Sequence, residues 1–276
     1  MTIASPKEVR DGIIFKGLDE HYKESLEYFN KNQIVGLFLQ GSQNYGLDTP
    51  NSDIDTKLIV IPSFKDIALA AQPVSTTHVR ANQEHIDFKD IRLYMNTFRK
   101  QNLNFLEILF TDYFIIPSTY YNEWMRLVEA REEIAHMNPY RAVKSMQGIA
   151  KEKYHAMEHR YPSKVEIIDK YGYDGKQVSH LFRVEDYLRR YITGERYIDC
   201  LHPTESYMPR IMDYKLQQIP LEVARVEAKE TLERIDAMAD EFFKGKEDCE
   251  DSEMRELLDD VCYNIMKIAV KEELNC

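Results

Sequence analysis

Short, unbroken apolar runs mark the first part of this chain, and apolar residues three and four apart mark the rest. Glu20 to Asn30 has helical spacing, with Tyr22, Leu26 and Phe29 on one side. Ile34 to Gln40 is a buried-strand pattern, and Gly41-Ser42 marks its exit. Ile54 to Ile61 predicts a second strand, closed by Pro62. Pro73 to Asn82 has no clear period and is expected to be loose, and His85 to Lys89 predicts a third strand. Asp90 is placed to cap a helix over Ile91 to Lys100, because its carboxylate can accept a free backbone N–H. Beyond about Asn104 the period is helical. Asn138-Pro139 opens one helix with a cap and a first-turn proline. Gly175 to Thr193 predicts another, stopped at Gly194. Leu221 to Phe243 carries Ala224, Ala228, Leu232, Ile235, Met238 and Phe242 at helical spacing, and Ser252 to Leu274 carries Leu257, Val261, Ile265 and Ile268. The acidic stretch Gly245–Asp251 between them is expected to be a solvated loop. Strands before helices predict an α+β chain.

Composition narrows the class. The 276 residues include 43% hydrophobic and 30% charged positions, which suits a globular chain with a sizeable core. No apolar run has the length of a membrane span. The first residues, Met1 to Lys16, lack a basic region followed by an apolar one, so no signal peptide is expected. The four cysteines, Cys200, Cys249, Cys262 and Cys276, form no Cys-x-x-Cys pair and suggest neither a zinc site nor a disulfide framework. A cytoplasmic setting is the expectation. The formal net charge of −11 argues against a grip on long nucleic acid, which needs a basic surface. A small nucleotide, a protein or a short RNA end suits it better.

The chemistry concentrates in residues 39–56, LQGSQNYGLDTPNSDIDT. A strand ends at Gly41, which lets backbone approach a ligand closely. Ser42 adds a hydroxyl for a phosphate oxygen. Asp53 and Asp55 flank Ile54 at the head of the next strand. Strand alternation points both carboxylates one way and Ile54 into the core. Two adjacent carboxylates repel, and a cation between them relieves the repulsion. Magnesium favours such oxygens together with substrate phosphates.

This segment resembles the Gly-Ser…Asp-x-Asp signature of the DNA polymerase β-like nucleotidyltransferase superfamily, and its fuller form is similar to a bacterial and phage subfamily of predicted nucleotidyltransferases. Leu106-Glu107-Ile108-Leu109 and Gly172 to Arg183 extend the likeness weakly. The resemblance implies an α+β fold: a nucleotidyltransferase core with a small mixed sheet over 1–115, then a mainly α-helical region over 116–276 that completes the active-site cleft. It implies a third carboxylate on a neighbouring strand. Asp87 in His85-Ile-Asp-Phe88 is the first candidate, with Glu84 and Asp90 as rivals and Asp90 more at home as a helix cap. By the resemblance, Asp53, Asp55 and Asp87 would be catalytic and bind Mg²⁺, with Mn²⁺ as the other candidate ion. Gly41 and Ser42 would hold phosphate.

Lys176, His180, Arg183 and Tyr187 recur at helical spacing and share one face. The first three are candidates for nucleotide binding. Lys57 shares the face of Asp55 and could reach a phosphate. Arg80 and His85 are weaker candidates, and Glu107 reads as structural. The expected activity is transfer of a nucleoside monophosphate from an NTP, ATP by cellular abundance, to a hydroxyl of a protein, an RNA end such as tRNA, or a small molecule. The alternative is a catalytically inactive nucleotide- or protein-binding module on the same fold. Nothing in the sequence sets the oligomeric state.

Overall fold

A computed structural model describes residues 6–50 and 52–275. Residues 1–5, Asn51 of the motif and Cys276 lie outside the described residues. In chain order the elements are α1 (Pro6–Ser25), β1 (Ile34–Gln40), β2 (Asp55–Val60), α2 (Phe64–Ala68), β3 (Ser75–Val79), β4 (His85–Asp90), α3 (Ile91–Arg99), α4 (Leu103–Leu106), β5 (Phe114–Ile115), α5 (Ser118–Glu129) and α6 (Arg131–Ala135). Then follow α7 (Pro139–Ala156), α8 (Val165–Tyr171), α9 (Gly175–Tyr191), α10 (Tyr197–Leu201), α11 (Met208–Lys215), α12 (Leu221–Phe243) and α13 (Ser252–Asn275). The chain is α+β, with one small mixed sheet and a helical C-terminal part.

The sheet order is β3-β4-β2-β1-β5. β1 and β2 are antiparallel, β2 and β4 parallel, and β3 and β4 antiparallel. One face buries Leu37, Leu39, Ile54, Leu58, Val60, Ile86 and Phe88 against Ile14 and Leu18 of α1. The opposite face carries Phe38, whose ring lies 4.6 Å from that of Trp124 on α5. α13 packs on α5 and α3.

The chain divides into two compact units. The first joins Met1–Arg99, Asn104–Met137 and Asp251–Cys276. The second holds Lys100–Leu103 and Asn138–Glu250. This division differs from a boundary at residue 115. α5, α6 and α13 belong with the sheet, because the face bearing Phe38 is apolar and needs cover. In the second unit α9 packs against α7, α11 and α12. The Asn138 side chain accepts from Arg141 N–H at 3.0 Å, as the cap expected there should.

Several expected elements shift. The first helix is Pro6–Ser25 rather than Glu20–Asn30. Its buried residues Ile14, Leu18, His21 and Ser25 form a narrow stripe that two polar members disguise, and Leu26 lies past its end, 43% exposed. Pro73 to Asn82 contains a true strand, β3, whose sequence Ser-Thr-Thr-His-Val suits a polar sheet edge. In α13 the buried stripe is Leu258, Val261, Ile265 and Ala269, so Leu257 and Ile268 stand at its margin. In α12, Thr231 and Ala239 are buried where Leu232, Met238 and Phe242 were expected.

Because α13 belongs to the sheet's unit, Ile265→Ala and Leu58→Ala should each lower stability by about 2–5 kcal/mol, the usual loss for a fully buried aliphatic side chain. Both should act on one unfolding transition in urea. An Ile265→Ala loss confined to a separate transition would contradict this assignment.

Candidate functional site

The β1–β2 register pairs Gln40 with Asp55. The Gly41–Ser42 turn and the Asp53-Ile54-Asp55 segment therefore meet at the same end of adjacent strands. Gly41 has φ of 97°, a backbone state that strongly favours glycine. The turn continues as a 3-10 helix, Ser42–Tyr45, ending on Gly46 at φ 71°. Side chains from four residues hold it. Glu107, buried, accepts Gly41 N–H at 3.2 Å. Gln43 Nε2 donates to the Asp53 carbonyl at 2.7 Å. Asn44 Nδ2 donates to the Leu39 carbonyl at 3.0 Å. Arg10 pairs with Asp48 through two bonds of 3.0 Å and donates to the Gln43 carbonyl at 2.7 Å.

Ile54 is buried in the α1-side core, and Asp53 beside it is exposed. Among the described residues no hydrogen bond or ion pair engages the Asp53 carboxylate or the Ser42 hydroxyl. Asp55 is half-buried, and its Oδ1 accepts from His85 N–H at 2.9 Å and lies 3.2 Å from His85 Nδ1. Backbone approach beneath is tight. A Cβ on Gly17 of α1 would collide with Ile54 Cδ1.

Asp87 is on the expected strand and on the expected face, with Ile86 and Phe88 buried behind it. Its cross-strand partner in β2 is Lys57, not Asp55. Lys57 Nζ lies 3.5 Å from Asp87 Oδ2, and Thr77 Oγ1 donates to Asp87 Oδ1 at 2.6 Å. The Lys57 side chain is only 4% exposed and lies 4.2 Å from the centre of the Phe105 ring. Phe38, Lys57, Asp87 and Thr77 thus form one row across four strands. Lys57 engages a carboxylate, where the sequence had suggested a phosphate.

The rivals for the third carboxylate have other partners. Glu84 takes His21 Nε2 at 3.0 Å, Arg80 at 2.6 Å, Asn82 at 2.7 Å and Ile54 N–H at 3.3 Å. Burial alone would raise its carboxyl, but the donors His21, Asn82 and Ile54 N–H hold it below the usual range. His21 is itself fully buried, with Nδ1 2.8 Å from Thr56 Oγ1, and burial holds its imidazole below the ordinary histidine range. Arg80 is taken up by Glu24 and Glu84. Asp90 accepts Arg92 N–H at 2.8 Å, as a helix cap does. Sequence reading missed His21 and Thr77. His21 lies far from the motif along the chain, and Thr77 lies on the strand that polarity concealed.

The donor set suits a divalent cation only in part. Asp53 and Asp55 offer carboxylate oxygens at an accessible strand end. Both oxygens of Asp87 are already engaged. Among the described residues no group of three or more His, Cys, Asp and Glu side chains is arranged to hold a metal ion.

In the second unit, Lys176 is exposed, His180 partly buried and Arg183 buried. Tyr187 is fully buried, so the shared face turns inward along the helix. Burial pulls the His180 imidazole well below the ordinary range, and Arg183, Lys153, Lys176 and Lys215 push it the same way. Lys153 on α7 and Lys215 on α11 are additions to the sequence candidates. They come from other helices, so no spacing rule could have joined them to α9.

No family model and no curated protein matches the sequence. Among the solved structures that match, a nucleotidyltransferase-like protein from Exiguobacterium sibiricum 255-15 aligns over 82% of this chain and 74% of its own, with 10% identity and a TM-score of 0.28. An overlap that loose neither assigns a fold nor transfers a site. Among the described residues no helix is long and apolar enough to cross a membrane.

His180 makes one pH effect testable. Above about pH 6.5 it is neutral in folded and unfolded chains alike. Below that the unfolded chain takes up a proton that the folded chain resists, so stability falls with pH. The wild-type melting temperature should drop relative to that of His180→Gln between about pH 6.5 and 5, and the difference should be level above about 6.5. A constant difference across the range would show that His180 is not held neutral.

Proposed function

We propose that the chain is a Mg²⁺-dependent nucleotidyltransferase that moves a nucleoside monophosphate from an NTP, ATP in the first instance, to a hydroxyl acceptor with release of pyrophosphate. One observation carries this. The pairing of Gln40 with Asp55 brings the Gly41–Ser42 turn beside the two acids, and this supports reading them as a phosphate contact and a cation contact. The free Ser42 hydroxyl suits a phosphate oxygen. Asp53 and Asp55 would hold the cation, which neutralises triphosphate charge when bound. Catalysis in this class is mainly positioning and charge stabilisation. The rigid turn and the anchored Ile54 provide the positioning. By the resemblance, Lys176, His180 and Arg183 are proposed as a nucleotide- or acceptor-binding face of the second unit. The acceptor is a protein hydroxyl, an RNA end or a small molecule, and the net charge of −11 disfavours extended RNA.

A second reading has its own support. Each oxygen of the third carboxylate, Asp87, already has a partner, Lys57 on one and Thr77 on the other. That favours a module which binds nucleotide without turnover.

Pyrophosphate release from each NTP with Mg²⁺ or Mn²⁺, in the presence of protein, tRNA and small-molecule acceptors, separates the two. The enzyme should release pyrophosphate from at least one NTP, and Asp53→Ala/Asp55→Ala should cut the rate at least about a hundredfold, since several kcal/mol of charge stabilisation is lost. A binding module would show Mg²⁺·ATP-dependent thermal stabilisation without release. Neither release nor stabilisation would reject nucleotide binding.

A further inference from the structure

We propose that Lys57 is a built-in cation for Asp87, so that the site takes one divalent ion per chain, at Asp53 and Asp55, rather than two. The inference rests on the nucleotide-binding reading above and deepens it. It departs from that reading at Asp87, which the resemblance would make a metal ligand.

The register is the first ground. Residues directly opposite on neighbouring strands approach closely, whereas the next pair along the same face is a step farther away. His85 donates to Asp55 and stands in the row of Gln40 and Asp55. Asp87 falls one row inward, in the row of Lys57. The second ground is charge. An ammonium with 4% side-chain exposure is costly to bury without a carboxylate, and Asp87 Oδ2 at 3.5 Å provides the ion pair. The third is that Asp87 Oδ1 already accepts the Thr77 hydroxyl at 2.6 Å. Phe105 lies over the lysine and excludes water from that side. To bind a second cation, Asp87 would have to release a buried lysine, and the entering ion would meet the ammonium charge at close range. Lys57 therefore anchors the third acid and holds positive charge at a fixed place beside Asp55.

Mn²⁺ counting on the full chain tests this. Free Mn²⁺ is measured by electron paramagnetic resonance at a saturating, non-hydrolysable ATP analogue, with the analogue alone as reference. Wild type should bind one Mn²⁺ per chain–analogue complex in all, the triphosphate's own ion included, and so no more than the reference. Lys57→Met should bind two, because Asp87 is then uncompensated. Lys57→Met/Asp87→Asn, a neutral pair, should return to one. Two ions on the wild type, or one on a folded Lys57→Met chain, overturns the proposal. If Lys57→Met does not fold, the neutral pair Lys57→Met/Asp87→Asn alone decides. An unchanged Mn²⁺ count and affinity supports the proposal, and a tenfold loss of affinity overturns it. Failure of the chain to bind the analogue or Mn²⁺ rejects the nucleotide reading as well, whereas two ions with intact analogue binding rejects only this inference.

Discussion

Ile54 packs among Ile14, Leu18, Leu37 and Leu39, and Gly17 leaves it just enough room. Its N–H is held by the half-buried Glu84, which His21, Arg80 and Asn82 hold in turn. The orientation of the strand head follows from this anchor. With Ile54 inward, alternation sends Asp55 and Lys57 to the other face, and the antiparallel register then sets Gly41 and Ser42 beside them. A slip of one residue would bury an acid and expose an isoleucine, so the core enforces the arrangement.

Charge is distributed in a way the net value conceals. The chain is acidic overall, yet its two candidate regions keep cations close at hand. In the first unit a buried lysine is committed to Asp87. In the second, the charges of four cations on three helices act on His180. Removing one member of the Lys57–Asp87 pair would strand a charge, which is costlier than replacing both. That asymmetry ties the acid at the expected position to its lysine.

The motif residues Gly41, Ser42, Asp53 and Asp55 were legible because their constraints are local. A positive φ calls for glycine, and alternation alone separates Ile54 from the acids. β1, β2, β4, α9, α12 and α13 were legible for the same reason, since period and caps act over a few residues. The polar strand β3 and the start of α1 were not, because an edge strand buries little and a narrow helical stripe with buried His21 and Ser25 has no clean period.

The sequence by itself determined which residues could serve: a glycine-serine turn, two acids astride an isoleucine, and an acid on a later strand. Only the tertiary structure decided their partners. Whether Asp87 faces Asp55 or Lys57 depends on the register of two parallel strands, which is set by core packing rather than by any local spacing. Whether Glu84 is a ligand or a brace depends on His21, brought to it by the fold from 63 positions away. Long-range pairing depends on the whole core, and no short stretch of sequence encodes it.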